Sequence, residues 1–592
     1  MSYPITTTRH SLAHIMAQAV KSLYPDVKLA IGPDIENGFY YDFDFGEVKF
    51  EEAALKDIEK KMKNIIKQNQ KFEHSTMPVD EAIKFLESKG EPYKVEMARD
   101  LKATGETEIG FYRNMTQQGQ EVFVDMCRGP HVEKTIEIDE NTFKLDKIAG
   151  AYWKGDSKNQ MVTRIYAFAY ATREELDAHL KMLEEAKKRD HRILGKKLKL
   201  FTISELVGAG LPLMQPKGMI IRKAIEDYLW QLHTDKGYDR VWTPHLAKEA
   251  LYECSGHAGH YMDDMFSVKG GSSGEGFYLK PMNCPHHMQL FADNQFSYRD
   301  MPIRYFEPAT VYRDEKSGQL SGLTRVRAIT QDDGHLFCRV DQIKDEVSTI
   351  VEIIKTFYTT FGLLEGYWVS LSVRDPANPD KYLGGDDVWK IAEGALEDAA
   401  KENKLNYKRV EGEAAFYGPK LDFMFKDAIG REWQLATIQC DFNLPNRFEL
   451  SFINQQGEKE RPVVIHRAIS GSLERFMGIM IEHFAGTFPL WLAPVQTVVV
   501  PVSENFIEYA REVQMLLKKA GIRSELDASN DGLNKKVRNA ETSHTNYILV
   551  IGEKEMNEKS VAVRNYKTKE QTEVKLDVFI ENILEEISGK RL

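Results

Sequence analysis

Two pairs of residues near the N-terminus form the first constellation with chemical potential. In HSLAH, His10 and His14 lie one helical turn apart, so both rings project from one face, a spacing that can bind metal. The zinc-protease version would need Glu directly after the first His, and Ser11 stands there. About a hundred residues on, VDMCRGPH repeats the four-residue interval with Cys127 and His131, flanked by Asp125, Arg128 and Gly129. A lone His pair is more often structural, whereas two pairs of equal spacing favour a polar site.

The second constellation is built on arginine. The stretch TVYRDEKSGQLSGLTRVRAITQDDGHLF reads as a strand-loop-strand hairpin, with Arg313 and Glu315 before a Gly/Ser loop and Arg325 and Arg327 after it. Guanidinium groups on adjoining strands can grip phosphate oxygens in bidentate fashion, which Lys does less specifically. Alone, this would be an ordinary charged hairpin. A further segment, HRAISGSLERFMGIMIEHFAG, sets Gly471 near a helix start and Arg475 just inside it. No GxxxxGK loop occurs, so a nucleotide site here must be of another kind.

The elements that must position these residues form several domains, as 592 residues predict at roughly 100–200 per domain. Residues 9–170 mix helix and short strands, around NGFYYDFDF, EVFVDM and MVTRIYAFAY, as in one α+β domain. Residues 173–200 read as a connecting helix whose second half is basic. Next comes a segment with a helix near Met219–Lys236 and alternating strands at IRYFEPATVYR, RVRAITQDDGHLF, AAFYGPKLDFMFKD and REWQLATIQCDF, an antiparallel sheet. GGSSGEG before Phe277 reads as a mobile loop. From a boundary near Trp491 the pattern becomes β-α-β-α-β. The uncharged run from Phe484 to Ser503 is long enough for a membrane span, but Pro489, Pro494 and Pro501 make it a linker and a buried strand. Five Cys argue against a disulfide framework, and MSYPITTTRH has no apolar signal region, so a cytoplasmic protein is expected. A net charge of −11 excludes a protein coated with basic charge but not a local basic face.

The two arginine segments resemble motifs 2 and 3 of the class II aminoacyl-tRNA synthetases, and the helix before VWTPHL resembles motif 1, with Pro244 at the family's dimer interface. PMNCPHHM, RVRAITQDDGH and VIHRAISGS are similar to the threonyl branch. The resemblance covers nearly the whole chain. It implies a multidomain α+β protein: an editing domain at 1–172, a basic linker helix at 173–200, a class II antiparallel-sheet catalytic domain at 201–490 and an α/β anticodon-binding domain at 491–592. The implied activity joins L-threonine to ATP as threonyl-adenylate, transfers it to the 3′ end of tRNA(Thr), and hydrolyses mischarged seryl-tRNA(Thr). An inactive paralogue with an RNA-binding or editing-only role is the alternative.

Carried over residue by residue, the resemblance places one zinc ion per subunit on Cys284, His335 and His466, residues 51 and 131 positions apart that spacing alone would not group. It places ATP, with Mg2+, on Arg313, Glu315, Arg325, Gln434 and Arg475, and threonine on Gln331, Asp333, Tyr417 and Gln439, with Asp333 holding the ammonium. Arg313, Arg475 and Lys420 are the implied catalytic charges. Editing falls to His10, His14, Tyr41, Lys94, Asp125, Cys127 and His131, without metal, and tRNA contact to Lys535, Lys536 and Arg538. A homodimer is implied, with no membrane partner, and the small ubiquitin-like domain that precedes HSLAH in most bacterial members is expected to be missing. In this family zinc binds the threonine amino and hydroxyl groups. A site that must bind the hydroxyl rejects valine by roughly 10⁴-fold or more, whereas serine, short by one methyl, is rejected only about 10–200-fold, so a second, hydrolytic site is needed.

Overall fold

The helix Ile5–Leu23 is buried almost all round from Thr7 to Val20, which suits its run of Ala, Leu, Ile and Met on every face. It packs on an antiparallel sheet in the order Lys28–Leu29, Gly38–Asp44, Met161–Ala169, Phe143–Tyr152. Phe39, Phe43, Ile58, Phe143 and Ile165 fill the core between sheet and helices. A second sheet, Lys71–Pro78, Glu108–Met115, Glu121–Met126, is covered by helices Val79–Ser88 and Pro92–Ala103. The expected strands at 38–44, 121–126 and 161–169 are present. Those at 71–78, 108–115 and 143–152 were not anticipated, since charged residues on their exposed sides blur the alternation.

This computed structural model describes residues 3–156 and 158–592, and the chain divides into two units between Glu184 and Glu185. The single helix expected at 173–200 is instead two, Arg173–Arg189 and His191–Lys197. Asp190 interrupts them by leaving helical geometry (φ −48°, ψ 118°) and capping the second helix, its carboxylate accepting from the Arg192 N–H.

In the second unit an eight-stranded sheet runs Asp239–Arg240, Ile303–Tyr312, Ala328–Cys338, Val463–Ser472, Glu432–Asp441, Lys420–Lys426, Trp368–Val373, Tyr407–Glu411. Its inner ladders are antiparallel and only the two edge pairs are parallel. Helices Pro216–Thr234, Ile343–Thr360, Asp386–Glu402 and Leu473–His483 bury one face in a core centred on Ile354, Phe357, Phe423, Ile465 and Phe476. The other face is left for the site. The expected hairpin forms with Ile303 opposite Phe337 and Tyr312 opposite Ala328. Residues 414–419, expected as part of a strand, make only an isolated bridge between Ala415 and Gly418, and the strand begins at Lys420. GGSSGEG spans the tip of a hairpin between Ser267–Lys269 and Gly276–Leu279.

The C-terminal sheet runs Ser524–Leu526, Thr497–Pro501, Tyr547–Ile551, Ser560–Asn565, Gln571–Lys575, its first three strands parallel and joined by the expected helices Ile507–Lys519 and Leu533–Thr542. Thr497–Pro501 is buried throughout, as a central parallel strand should be. Among the described residues no helix is long and apolar enough to cross a membrane.

Candidate active sites

Strand alternation puts Gln331, Asp333 and His335 on one side of Ala328–Cys338 and turns Asp332 to the other. The ladder to Val463–Ser472 is irregular here: Gln331 pairs with Ser472 and Asp333 with Ala468, so four residues advance against two. The Asp332 carboxylate closes the gap, accepting from the Ile469 and Ser470 N–H groups at 2.7 and 3.0 Å and from Ser470 Oγ at 2.9 Å. Burial raises this carboxyl to about 6. A second irregularity leaves Leu435 unpaired between Gln434 and Ala436, which turns Gln434 to the same side as Thr437 and Gln439. The result is a cavity of about 350 Å³ lined by Cys284, Arg313, Gln331, Asp333, His335, Tyr417, Gln434, Gln439, His466 and Arg475. Of the residues expected in the synthetic site only Glu315, Arg325 and Lys420 lie outside that lining.

At one end of the cavity Cys284, His335 and His466, all buried, bring a sulfur and two ring nitrogens within 4.8 Å of one another. Cys284 opens the helix Cys284–Ala292, and the two histidines face each other across the ladder. Each ring has one nitrogen already engaged: His335 Nδ1 lies 2.9 Å from His287 Nδ1, and His466 Nε2 lies 3.0 Å from Asp441 Oδ2. The second nitrogen of each ring remains as a donor. Burial pushes His335 well below the usual imidazole range and the Cys284 thiol well above its own. A buried sulfur beside two imidazole nitrogens suits zinc, which favours three such donors and an open position.

Sequence reasoning missed the groups behind these donors. Asp441 is anchored by the N–H groups of Asn443 and Leu444, at 2.7 and 3.0 Å. His287 is held 3.1 Å from Glu307 Oε2, and Glu307 also accepts from the Thr243 N–H and Asn283 Nδ2. His257 Nε2 lies 3.8 Å from Cys284 Sγ. Asp441 had a signal, two positions past Gln439 on one strand. His257, 27 residues before Cys284, had none.

At the other end Arg313 points into the cavity, and among the described residues no side-chain hydrogen bond or ion pair engages its guanidinium. Arg475 is lowered from the usual guanidinium value by burial and then by Arg313 and Arg325. Arg313 and Arg475 in the lining, with Arg325 near enough to act on Arg475, make this end of the cavity suited to a polyanion. Arg325 pairs with Glu315 at 2.7 Å, and Arg327 grips the Glu315 carbonyl through two nitrogens. Lys420 lies 2.6 Å from Asp422 Oδ2, while Asp422 Oδ1 accepts from Gln434 Nε2 and Thr437 Oγ1. Asp422, also missed, therefore orients two of the expected residues at once.

In the N-terminal unit, Cys127 Sγ stands 3.2 Å from His10 Nε2 and 3.3 Å from His131 Nε2. His131 Nδ1 is fixed by Ser11 Oγ at 3.1 Å. Tyr41 donates to Asp125 at 2.6 Å, and Lys94 forms a buried ion pair with Asp125 at 2.9 Å. His14 does not join the cluster by hydrogen bonding; it stacks edge-on against Phe72, Phe123 and His131. A cavity of about 530 Å³ lined by Met97, Asp100, Leu101, Glu106 and Arg128 opens beside Cys127. Burial pushes His14 down to about 3 and lowers His10 and His131 as well. The unfolded imidazoles, near 6.5, bind protons first as pH falls, so this unit should lose up to about 1.4 kcal/mol per pH unit per histidine below that point. Hydrogen exchange in peptides from residues 5–23, corrected for intrinsic rate, should show protection falling between pH 6.5 and 5; constant protection would contradict this.

On the C-terminal helix Leu533–Thr542, Lys535 and Arg538 are exposed. Lys536 is a correction to the expected tRNA-facing set: it is 3% exposed and its ammonium donates to the Pro501 carbonyl, so it holds helix to sheet.

Residues 266–484 match the model of the tRNA synthetase class II core domain (G, H, P, S and T), residues 496–586 an anticodon binding domain, and residues 114–166 the threonyl and alanyl tRNA synthetase second additional domain. The chain is 48% identical to a threonine–tRNA ligase of Gloeobacter violaceus over 94% of its own length and 88% of that protein's. A threonine–tRNA ligase of Thermus thermophilus is 47% identical over 99% and 89%. Among solved structures, the RNA binding domain of threonyl-tRNA synthetase from Cryptosporidium parvum is similar with a TM-score of 0.64 and 37% identity, covering 67% of this chain and 98% of that one.

Proposed function

Because the chain belongs to the threonine–tRNA ligase family, we propose that it activates L-threonine with ATP in the sheet cavity and transfers it to the 3′ end of tRNA(Thr). The observation that carries this reading is that one cavity brings together a Cys/His/His donor set and Arg313, which has no side-chain hydrogen bond or ion pair among the described residues. A zinc ion held by Cys284, His335 and His466 would supply an open position for the amino and hydroxyl groups of threonine. The chain's own residues do the rest. Asp333, Gln331, Tyr417 and Gln439 orient the amino acid; the Tyr417 hydroxyl already donates to Gln439 Oε1 at 3.0 Å, which sets that amide's direction. Arg313 neutralises the α-phosphate as the threonine carboxylate attacks phosphorus and pyrophosphate leaves, with Lys420 adding charge near the new bond. Arg475 and Arg325 take the distal phosphates, with Mg2+, and Glu315 and Gln434 the nucleoside end. We assign catalysis to residues 201–490, anticodon contact through Lys535 and Arg538 to residues 491–592, and a homodimer contact to the motif 1 face, where Trp242 is 72% exposed. A cytoplasmic location goes with this role.

Editing we assign to residues 1–172. The neutral His10 and His131 beside Cys127 can accept a proton from the water that attacks a seryl ester, and the Tyr41–Asp125–Lys94 group can hold the substrate. Cys127→Ala should leave threonylation nearly unchanged and let seryl-tRNA accumulate; unchanged seryl-tRNA levels would remove the assignment. The whole reading is tested by ATP–pyrophosphate exchange. Threonine should support it, serine about 10–200-fold more weakly, and valine not at all. No threonine-dependent exchange would leave the inactive-paralogue alternative standing.

A further inference from the structure

His191, in the linker rather than in any of the three motifs, is buried at 3% exposure and begins the helix His191–Lys197. Its two ring nitrogens reach two parts of the ATP-facing machinery. Nδ1 lies 2.6 Å from Glu482 Oε1, on the helix Leu473–His483 that carries Arg475 in its first turn, and the His191 N–H donates to the same oxygen at 3.0 Å. Nε2 accepts the backbone N–H of Leu323 at 3.0 Å, in the loop of the arginine hairpin. A nitrogen that accepts carries no proton, so the ring's hydrogen sits on Nδ1 and points at Glu482.

The loop is gripped at consecutive residues around that bond. Gly322 has φ +49° and lies so close to the ring that a Cβ there would come within 2.1 Å of His191 Nε2. Leu323 is fully buried, and a Cβ on Gly478 of the helix would already meet Leu323 and Thr324 at 3.3 Å. Thr324 gives its carbonyl to Arg475 Nε at 3.0 Å. Arg325 follows at once, paired with Glu315. Asp190, His191 and Glu482 also lie close enough together to hold a cation. Both ring nitrogens are already in use, however, and Glu482 Oε2 is taken by Arg431, so the cluster works as an anchor instead.

We propose that His191 is a positioning residue for the synthetic reaction, fixing residues 322–325 against the Leu473–His483 helix so that Arg325, Glu315 and Arg475 are held in one arrangement for ATP. This rests on the reading of those three residues as the ATP site. The test is threonine-dependent ATP–pyrophosphate exchange by the full chain. His191→Phe keeps a ring but loses both the acceptor for Leu323 and the donor to Glu482; it should raise the KM for ATP about tenfold or more, the scale of one or two buried hydrogen bonds, with the KM for threonine within twofold. His191→Gln, which restores an acceptor, should recover most of that loss. Gly322→Ala, which presses the loop off the ring without touching the core, should reproduce the ATP defect should His191→Phe not fold. An ATP KM unchanged in both His191→Phe and Gly322→Ala overturns the proposal, as does a parallel rise in both KM values. Absence of exchange by the unaltered chain would instead fault the reading of the site.

Discussion

Cys284→Ala is expected to yield a folded chain without bound metal whose kcat/KM for threonine falls by roughly 10⁴-fold, the factor by which a site built around a hydroxyl contact separates substrates with and without it. The size follows from the arrangement of donors. His335 and His466 each have one nitrogen already engaged, so neither can supply a second donor in place of the sulfur. His257 Nε2 lies 3.8 Å from Cys284 Sγ, and its Nδ1 is engaged by Ser255 Oγ at 2.7 Å. Metal analysis of the purified chain gives the first check, activation kinetics the second. Asp441→Asn supplies a graded comparison: all three donors remain, but the carboxylate that orients His466 is lost, and metal affinity should drop about 10–100-fold. Full metal content and full activity in Cys284→Ala would refute the assignment.

Arg313→Ala should lower kcat for adenylate formation by about 10²–10³-fold, equivalent to roughly 3–4 kcal/mol of lost charge stabilisation. Among the described residues no hydrogen bond or ion pair engages its guanidinium, so removing it breaks none of these and the loss falls on the reacting phosphate. It also relieves repulsion of Arg475, which is held below the usual guanidinium value partly by Arg313. Ground-state ATP binding should therefore suffer less than kcat, because charge builds at the α-phosphate mainly in the transition state. Arg313→Lys keeps the charge but not the two-pronged geometry and should recover only part of the rate. Single-turnover measurement of adenylate formation separates these effects; a change in ATP KM alone would contradict the assigned role.

How far the sequence could be read depended on whether a residue's partner was local. The hairpin around Arg313 and the helix bearing Arg475 were legible because their strands alternate and their caps are adjacent in the chain. The Cys284, His335 and His466 set was reachable only through family resemblance, since the sheet joins strands far apart in sequence. Gln434 faces the cavity because Leu435 drops out of the ladder, an irregularity that no alternation pattern displays. Asp422 and His191 act through partners brought near by folding, on another strand in one case and on a distant helix and loop in the other. Lys536 shows the opposite failure: a basic residue in a basic segment whose aliphatic stem and ammonium are spent on packing.

The direct pairing of His335 with His466 across the ladder has a consequence for folding. Side chains on a strand alternate between faces, so a slip of one position would put Ile465 or Arg467 where His466 stands. The donor set then exists only when two strands separated by more than a hundred residues have found their correct register. An ion bound by this set, as proposed above, would act as a latch that closes on the properly aligned sheet and on no misaligned neighbour of it.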